Sequence, residues 1–322
     1  MPILSMLEAV REAQYEEMKR DKRVFLMGED VRSNMYGASV ALVEEFGEAR
    51  VRNTPISENG FVGAAAGAAM VGARPIVDVT IASFLYPAMD QLISNIAKST
   101  YLYGGQTHLP LVVRATMFYG RNYAAQHSDR PYPMFMGVPG LKIVAPSNAY
   151  DAKGLLKSAI RDDNPVLFFE DVTLWGHKSE VPEEEYLVPL GKAAIKREGS
   201  DVTIVAVSGA VIPSLAAGEA LAADNISAEV IDLRSLAPID WETVLGSVRK
   251  TGRLVAVDIA HRTCSAASEI AATVAEKGFW DLKAPIERVT TPDTHIPFSP
   301  ALEKQLYPSK EKIIAAVTRT LS

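Results

Sequence analysis

Thr54-Pro55-Ile56-Ser57-Glu58-Asn59-Gly60-Phe61-Val62-Gly63-Ala64-Ala65-Ala66-Gly67-Ala68-Ala69-Met70-Val71-Gly72 sets one carboxylate at the mouth of a helix made largely of glycine and alanine. So little side-chain bulk lets neighbouring backbones approach closely. A carboxylate at so apolar an entrance is poorly solvated, an arrangement suited to holding and passing a proton. Glu58 equally fits an acid that favours the positive end of a helix dipole, so the residues alone leave both roles open. Gly63, Gly67 and Gly72 do not reproduce the G-x-G-x-x-G spacing of a pyrophosphate turn. The run from Phe61 to Ala73 is too short to cross a bilayer and reads as a buried helix.

Outward from this helix, strand-like and helical patterns alternate, which predicts an α/β fold with parallel-rich sheets and helices on both faces. Strands are expected at Val24–Met27, Pro75–Val79, Leu111–Arg114, Lys142–Ala145 and Val166–Phe169. Helices are expected at Met6–Arg20, opened by the capping box Ser5-Met6-Leu7-Glu8, and at Ser39–Phe46, Gly60–Gly72, Pro87–Tyr101 and Ala149–Arg161. Periodicity fades after Asp171, and Glu180-Val181-Pro182-Glu183-Glu184-Glu185 reads as a linker. A second series follows, with strands at Val202–Val207, Ala228–Asp232, Arg253–Asp258 and Ile286–Val289. Its helices are expected at Val211–Ala223, Asp240–Val248, Ala266–Lys277 and Lys310–Leu321. The domains are therefore expected at 1–180 and 193–322, joined by 181–192.

With 322 residues, 48% of them hydrophobic and 22% charged, the chain can bury two ordinary cores. A net charge of -6 offers no basic face for nucleic acid or anionic membrane. The single cysteine, Cys264, excludes an intrachain disulfide and a cysteine zinc cage, and suits a reducing compartment. The start of the chain shows no targeting pattern, so the expected location is the cytoplasm, or an organellar matrix for a mature form.

His127 lies in Gln126-His127-Ser128-Asp129, within a long stretch from Thr116 to Gly140 that lacks clear periodicity, and long ordered loops are often functional. A solvent-exposed surface histidine fits the same residues. Ser128 beside it has no G-x-S-x-G surround, and His108, His177, His261 and His295 show no H-E-x-x-H spacing. Phe84 and Tyr86 follow an expected strand, where open α/β sheets bind ligands, and also fit aromatic core packing.

Several separated segments together resemble one family. Gly28-Glu29-Asp30-Val31, Thr54-Pro55-Ile56-Ser57-Glu58, Gly63–Ala69, Asp90-Gln91, Gln126-His127-Ser128 and Val138-Pro139-Gly140-Leu141-Lys142 are similar to the beta subunit of the thiamine diphosphate-dependent 2-oxo acid dehydrogenases. Ile231-Asp232-Leu233-Arg234-Ser235-Leu236-Ala237-Pro238-Ile239-Asp240 resembles that subunit's transketolase-type C-terminal domain, and the likeness runs to Pro292-Asp293 and Pro297-Phe298. The resemblance implies a pyrimidine-binding domain followed by a transketolase C-terminal-like domain, in an α2β2 heterotetramer whose sites are shared with an alpha subunit. That partner would hold magnesium and the diphosphate, since this chain has no Gly-Asp-Gly followed some thirty residues on by Asn-Asn.

By this resemblance Glu58 hydrogen-bonds a ring nitrogen of the cofactor's aminopyrimidine and activates it. Phe84 stacks on that ring, Thr80 lies near it, and Glu29 borders the same cleft. His127 matches the family's histidine that assists acyl transfer to lipoyl. Leu111, Ala159, Ile160, Asp162 and Asn164 match positions that bind a structural potassium ion in some relatives, mostly through backbone oxygens.

The chain departs from the usual family pattern at Ile81, Ser83, Tyr119-Gly120-Arg121-Asn122-Tyr123 and Asp129-Arg130-Pro131, around the presumed substrate entrance. The lone histidine of Gln126-His127 is closer to pyruvate and acetoin enzymes than to branched-chain ones. The resemblance thus implies decarboxylation of pyruvate, or cleavage of acetoin, with transfer to a lipoyl-bearing acyltransferase. A split transketolase and a non-catalytic scaffold are the alternatives.

Overall fold

A computed structural model describes residues 1–322. The chain forms two compact units, one of residues 1–118 and 135–190, the other of residues 119–134 and 191–322.

The first unit is built on six parallel strands: β1 (Val24–Gly28), β2 (Val51–Asn53), β3 (Arg74–Ile81), β4 (Val112–Met117), β5 (Lys142–Val144) and β6 (Val166–Asp171). They pair in the order β5-β6-β4-β3-β1-β2. β4 and β6 are buried at every position, as strands covered on both faces must be, and so read as apolar runs. Helix α1 (Met6–Arg20) starts at the expected capping box: the Ser5 hydroxyl accepts the Glu8 N–H, and Glu8 Oε2 accepts the Ser5 N–H at 2.7 Å. It packs beside the later helix Ala149–Arg161, where Lys153 and Lys157 pair with Glu12 and Glu16.

The chain leaves β1 for β2 on one side, whereas β3 leads to β4 on the other. The crevice at the carboxyl ends of β1 and β3 is thus a topological switch point, the usual ligand site of an open α/β sheet. Close approach there demands glycine: a Cβ on Gly28 would stand 2.2 Å from the Asp78 carbonyl oxygen.

The second unit is built on a five-stranded sheet of β7 (Ala194–Arg197), β8 (Val202–Ala206), β9 (Ala228–Asp232), β10 (Leu254–His261) and β11 (Glu287–Thr291). Their order is β11-β10-β8-β9-β7, parallel except for the edge strand β7. Helices Val211–Ala223, Trp241–Thr251, Ala266–Lys277 and Lys310–Leu321 supply the crossovers and the terminus.

Two expected helices differ. The one expected from Ser39 forms only over Leu42–Phe46, because Ala41 takes a left-handed conformation at φ 59°. The one expected over 87–101 is a π-helix from Asp90 to Ile96 that continues as an α-helix from Ala97 to Leu102. Asn95 Nδ2 donates to the Asp90 carbonyl and the Ser99 hydroxyl to the Asn95 carbonyl, and side chains bonding to carbonyls in this way loosen the turn. The aperiodic stretch holds two short helices, Ala124–His127 and Tyr132–Met136.

Candidate active site

Within the first unit, the carboxyl edge of the sheet gathers four of the expected site residues. Glu29 follows β1, Thr80 is the last residue but one of β3, Phe84 sits in the 3-10 turn Ala82–Leu85 just beyond it, and Glu58 opens the helix α2 (Glu58–Met70) that follows β2. Glu58 is only 9% exposed although its neighbours Ser57 and Asn59 are exposed. The Glu29 carboxyl is held above the usual carboxylate range, first by burial and then by the charges of Glu58 and Asp30. Glu29 Oε1 and Thr54 Oγ1 are buried with no hydrogen-bond partner.

Thr80 is β-branched yet has φ 66°, a conformation such residues adopt only when the surroundings impose it. Its N–H donates to Asp78 Oδ1 at 2.8 Å. Asp78 Oδ2 in turn meets Arg114 Nη1 at 3.1 Å, and Arg114 pairs with Glu170 at 2.6 Å and with Gln14 Oε1 at 3.0 Å. Arg114 is 2% exposed and Glu170 fully buried. Burial opposes the Arg114 charge, yet Glu170 and Asp78 hold its pKa above the ordinary value. The chain Glu170–Arg114–Asp78 therefore fixes the backbone of Thr80. Sequence reading missed this network; its one signal was a charge interrupting each of three apolar strands.

Phe84 packs with Tyr36 and Trp175 against buried Ile81, Phe118 and Val172. These residues make an apolar, aromatic wall beyond the strand ends. A flat ring carrying both donor and acceptor nitrogens fits this edge: the wall suits its faces, and Glu58 with the unpartnered Glu29 oxygen suits its polar rim.

The opening helix packs more selectively than its composition implies. A notional Cβ would stand 2.9 Å from Ser57 Oγ at Gly60 and 3.0 Å from Gln91 Oε1 at Gly63, whereas Gly67 faces open space. Ala64, Gly67, Met70 and Val71 form an exposed strip, and Ile56 before the helix is 83% exposed.

His127 belongs to the second unit, at the end of the one-turn helix Ala124–His127, half-buried and with its ring 6.2 Å from that of Tyr123. The next residue, Ser128, is buried and its hydroxyl has no partner.

Leu111, Ala159, Ile160, Asp162 and Asn164 lie near the ends of β4, β6 and the helix Ala149–Arg161. The Ile160 and Asp162 carbonyls accept Arg74 Nη1 at 3.0 and 3.1 Å, the Leu111 carbonyl accepts the Val166 N–H at 3.0 Å, and the Ala159 carbonyl accepts the Asp162 N–H at 3.3 Å. Asn164 donates to Asp162 Oδ1.

Comparison with known proteins agrees with this architecture. The model of the transketolase pyrimidine-binding domain matches residues 3–176, and that of the transketolase C-terminal domain matches residues 191–313. A solved split gene transketolase, in its inactive beta4 tetramer, superposes with a TM-score of 0.81 at 25% identity, covering 99% of this chain and 98% of that one. The fold and the switch-point edge are thus of the transketolase-like class.

Relatives narrow that class. The acetoin:2,6-dichlorophenolindophenol oxidoreductase subunit beta of Bacillus subtilis (strain 168) is 46% identical, covering 99% of this chain and 97% of the relative. The pyruvate dehydrogenase E1 component subunit beta of Rickettsia felis is 45% identical, with 98% of each covered. The 2-oxoisovalerate dehydrogenase subunit beta of Bacillus subtilis is 43% identical, again with 98% of each covered. The chain belongs to the thiamine diphosphate-dependent family of 2-oxo acid dehydrogenase beta subunits.

Proposed function

We propose that this chain is the subunit that activates the cofactor in a decarboxylase component acting on pyruvate or acetoin. Its partners are an alpha subunit in an α2β2 assembly and a lipoyl-bearing acyltransferase. The observation that carries the reading is the pair of carboxyls, Glu58 and Glu29, at the switch-point edge, one of them held toward its protonated form.

Thiamine diphosphate supplies, when bound, a carbon nucleophile that cleaves the bond beside a carbonyl. The residues of this chain bind and orient its pyrimidine end. Glu58, buried at the start of α2, presents its carboxyl where a ring nitrogen can hydrogen-bond to it. Glu29 limits how much negative charge collects there, because two neighbouring carboxylates resist ionising together. Thr80, fixed by Asp78 and Arg114, and the wall around Phe84 set the plane of the ring and exclude water. His127 orients the acyl group for transfer to lipoyl. Magnesium and the diphosphate fall to the alpha subunit, and the Arg74 corner accommodates potassium.

The 45–46% identity to acetoin and pyruvate subunits, against 25% to the split transketolase, favours the lipoyl-linked reaction over ketol transfer between sugars. The test is a substrate panel on this chain co-purified with its alpha subunit, with thiamine diphosphate and magnesium added. Cofactor-dependent dye reduction with pyruvate or acetoin supports the reading; sugar-phosphate ketol transfer without it contradicts the reading.

A further inference from the structure

We infer that Glu303 is a positioning residue for His127, holding the loop 119–134 through two backbone amides; the inference rests on the acyl-transfer role proposed for that histidine. Glu303 ends the one-turn helix Pro300–Glu303 and is 2% exposed. Its Oε1 accepts the Gly120 N–H at 2.7 Å, and its Oε2 accepts the Asn122 N–H at 2.8 Å. Tyr307 donates its hydroxyl to Oε1 at 2.7 Å. One carboxylate thus grips two amides two residues apart, and a buried acid with no cation bonded to it depends on those donors.

The other side of the histidine is held as firmly. Arg130 Nε donates to the Ile259 carbonyl at 3.0 Å, Nη1 donates to the Ser128 carbonyl, and the guanidinium lies 5.5 Å from the ring centroids of both Tyr119 and Tyr307. Tyr132 donates to buried Asp258. Between these anchors, Asn122 and Ala124 take left-handed conformations at φ 63° and 56°, which a free loop would relax. The C-terminal unit therefore sets the pose of the histidine through Glu303 on one flank and Arg130 on the other.

The mechanism of failure is specific. In Glu303→Gln one acceptor oxygen becomes an NH2 group, which meets one of the two amides donor to donor. The test compares the wild type, Glu303→Gln, Tyr307→Phe and His127→Ala, each assembled with the alpha subunit. Deuterium uptake of peptides covering 118–134 is measured on the assembled protein, and turnover is measured with a lipoyl acceptor and with dichlorophenolindophenol.

In Glu303→Gln, uptake at 119–124 should rise, and lipoyl-linked turnover should fall about 10- to 100-fold with dye-linked turnover within about threefold of wild type. Tyr307→Phe should shift both readouts in the same direction by less, and decides the matter should Glu303→Gln not assemble. Unchanged uptake, or equal loss of both turnovers, overturns the positioning role. If His127→Ala leaves lipoyl-linked turnover intact, the role of the histidine fails instead, and uptake alone then judges whether Glu303 holds the loop.

Discussion

The carboxyl edge of the first unit and the His127 loop of the second are positioned by opposite means. Glu29, Glu58 and Phe84 sit where strands end or helices begin, so the sheet places them, and Thr80, at a break in the β3–β4 register, is fixed from within the sheet by Asp78 and Arg114. His127 sits in a segment with only single turns of helix, placed by individual hydrogen bonds and ring contacts from Glu303, Arg130 and Tyr307. A site on element ends tolerates the loss of one contact; a loop held by a few grips does not.

The largest loss of stability is expected where the sheet itself carries buried charge. Arg114→Leu strands Glu170 and Asp78 without their cation and should destabilise the chain by about 3–5 kcal/mol, read from urea or thermal unfolding. A variant as stable as the wild type would remove the network from the account of Thr80.

Next comes the loop. Tyr132→Phe deletes the hydroxyl bonded to Asp258, whose carboxyl is already pushed up by burial, and leaves it only the Ala260 and Ala267 amides. The expected cost is about 1–3 kcal/mol, with faster deuterium uptake confined to the segment around Tyr132. Uptake spread evenly over both units would deny the loop its separate anchoring.

Smaller still is the pH effect of Glu29. Its folded pKa is raised, so the native state binds more protons than the unfolded chain, and stability falls as pH rises from the unfolded value through the folded one. Glu29→Gln should therefore raise Tm modestly at pH 8 and match the wild type near pH 4. The same gain at both pH values would mean that charge is not the cause. The smallest expected effect is that of potassium, which should raise Tm slightly over choline at equal ionic strength; equal values would leave the Ile160 and Asp162 carbonyls to Arg74 alone.

Much of this contrast was legible in the sequence. Long periodic helices such as Met6–Arg20 and Ala149–Arg161 form over the expected residues, and the buried strands stand out as apolar runs. The strands Val51–Asn53 and Ala194–Arg197 are sheet edges of three and four residues carrying arginine, too short and too polar to give a period. Glu58 could be singled out because its setting contrasts with its charge. Glu303 could not, since two of its three donors are backbone amides more than 180 residues away in the chain, and no local pattern encodes them. The strain at Thr80 is invisible for a related reason: the Asp78 side chain that bonds its N–H is itself held by Arg114, 36 residues further on.

The central claim is that Glu58 activates the cofactor held between this chain and its alpha subunit. Glu58→Gln, co-purified with that partner, is predicted to assemble and bind thiamine diphosphate while turnover with pyruvate or acetoin falls about 100- to 10,000-fold. Near-normal turnover in that complex would contradict it.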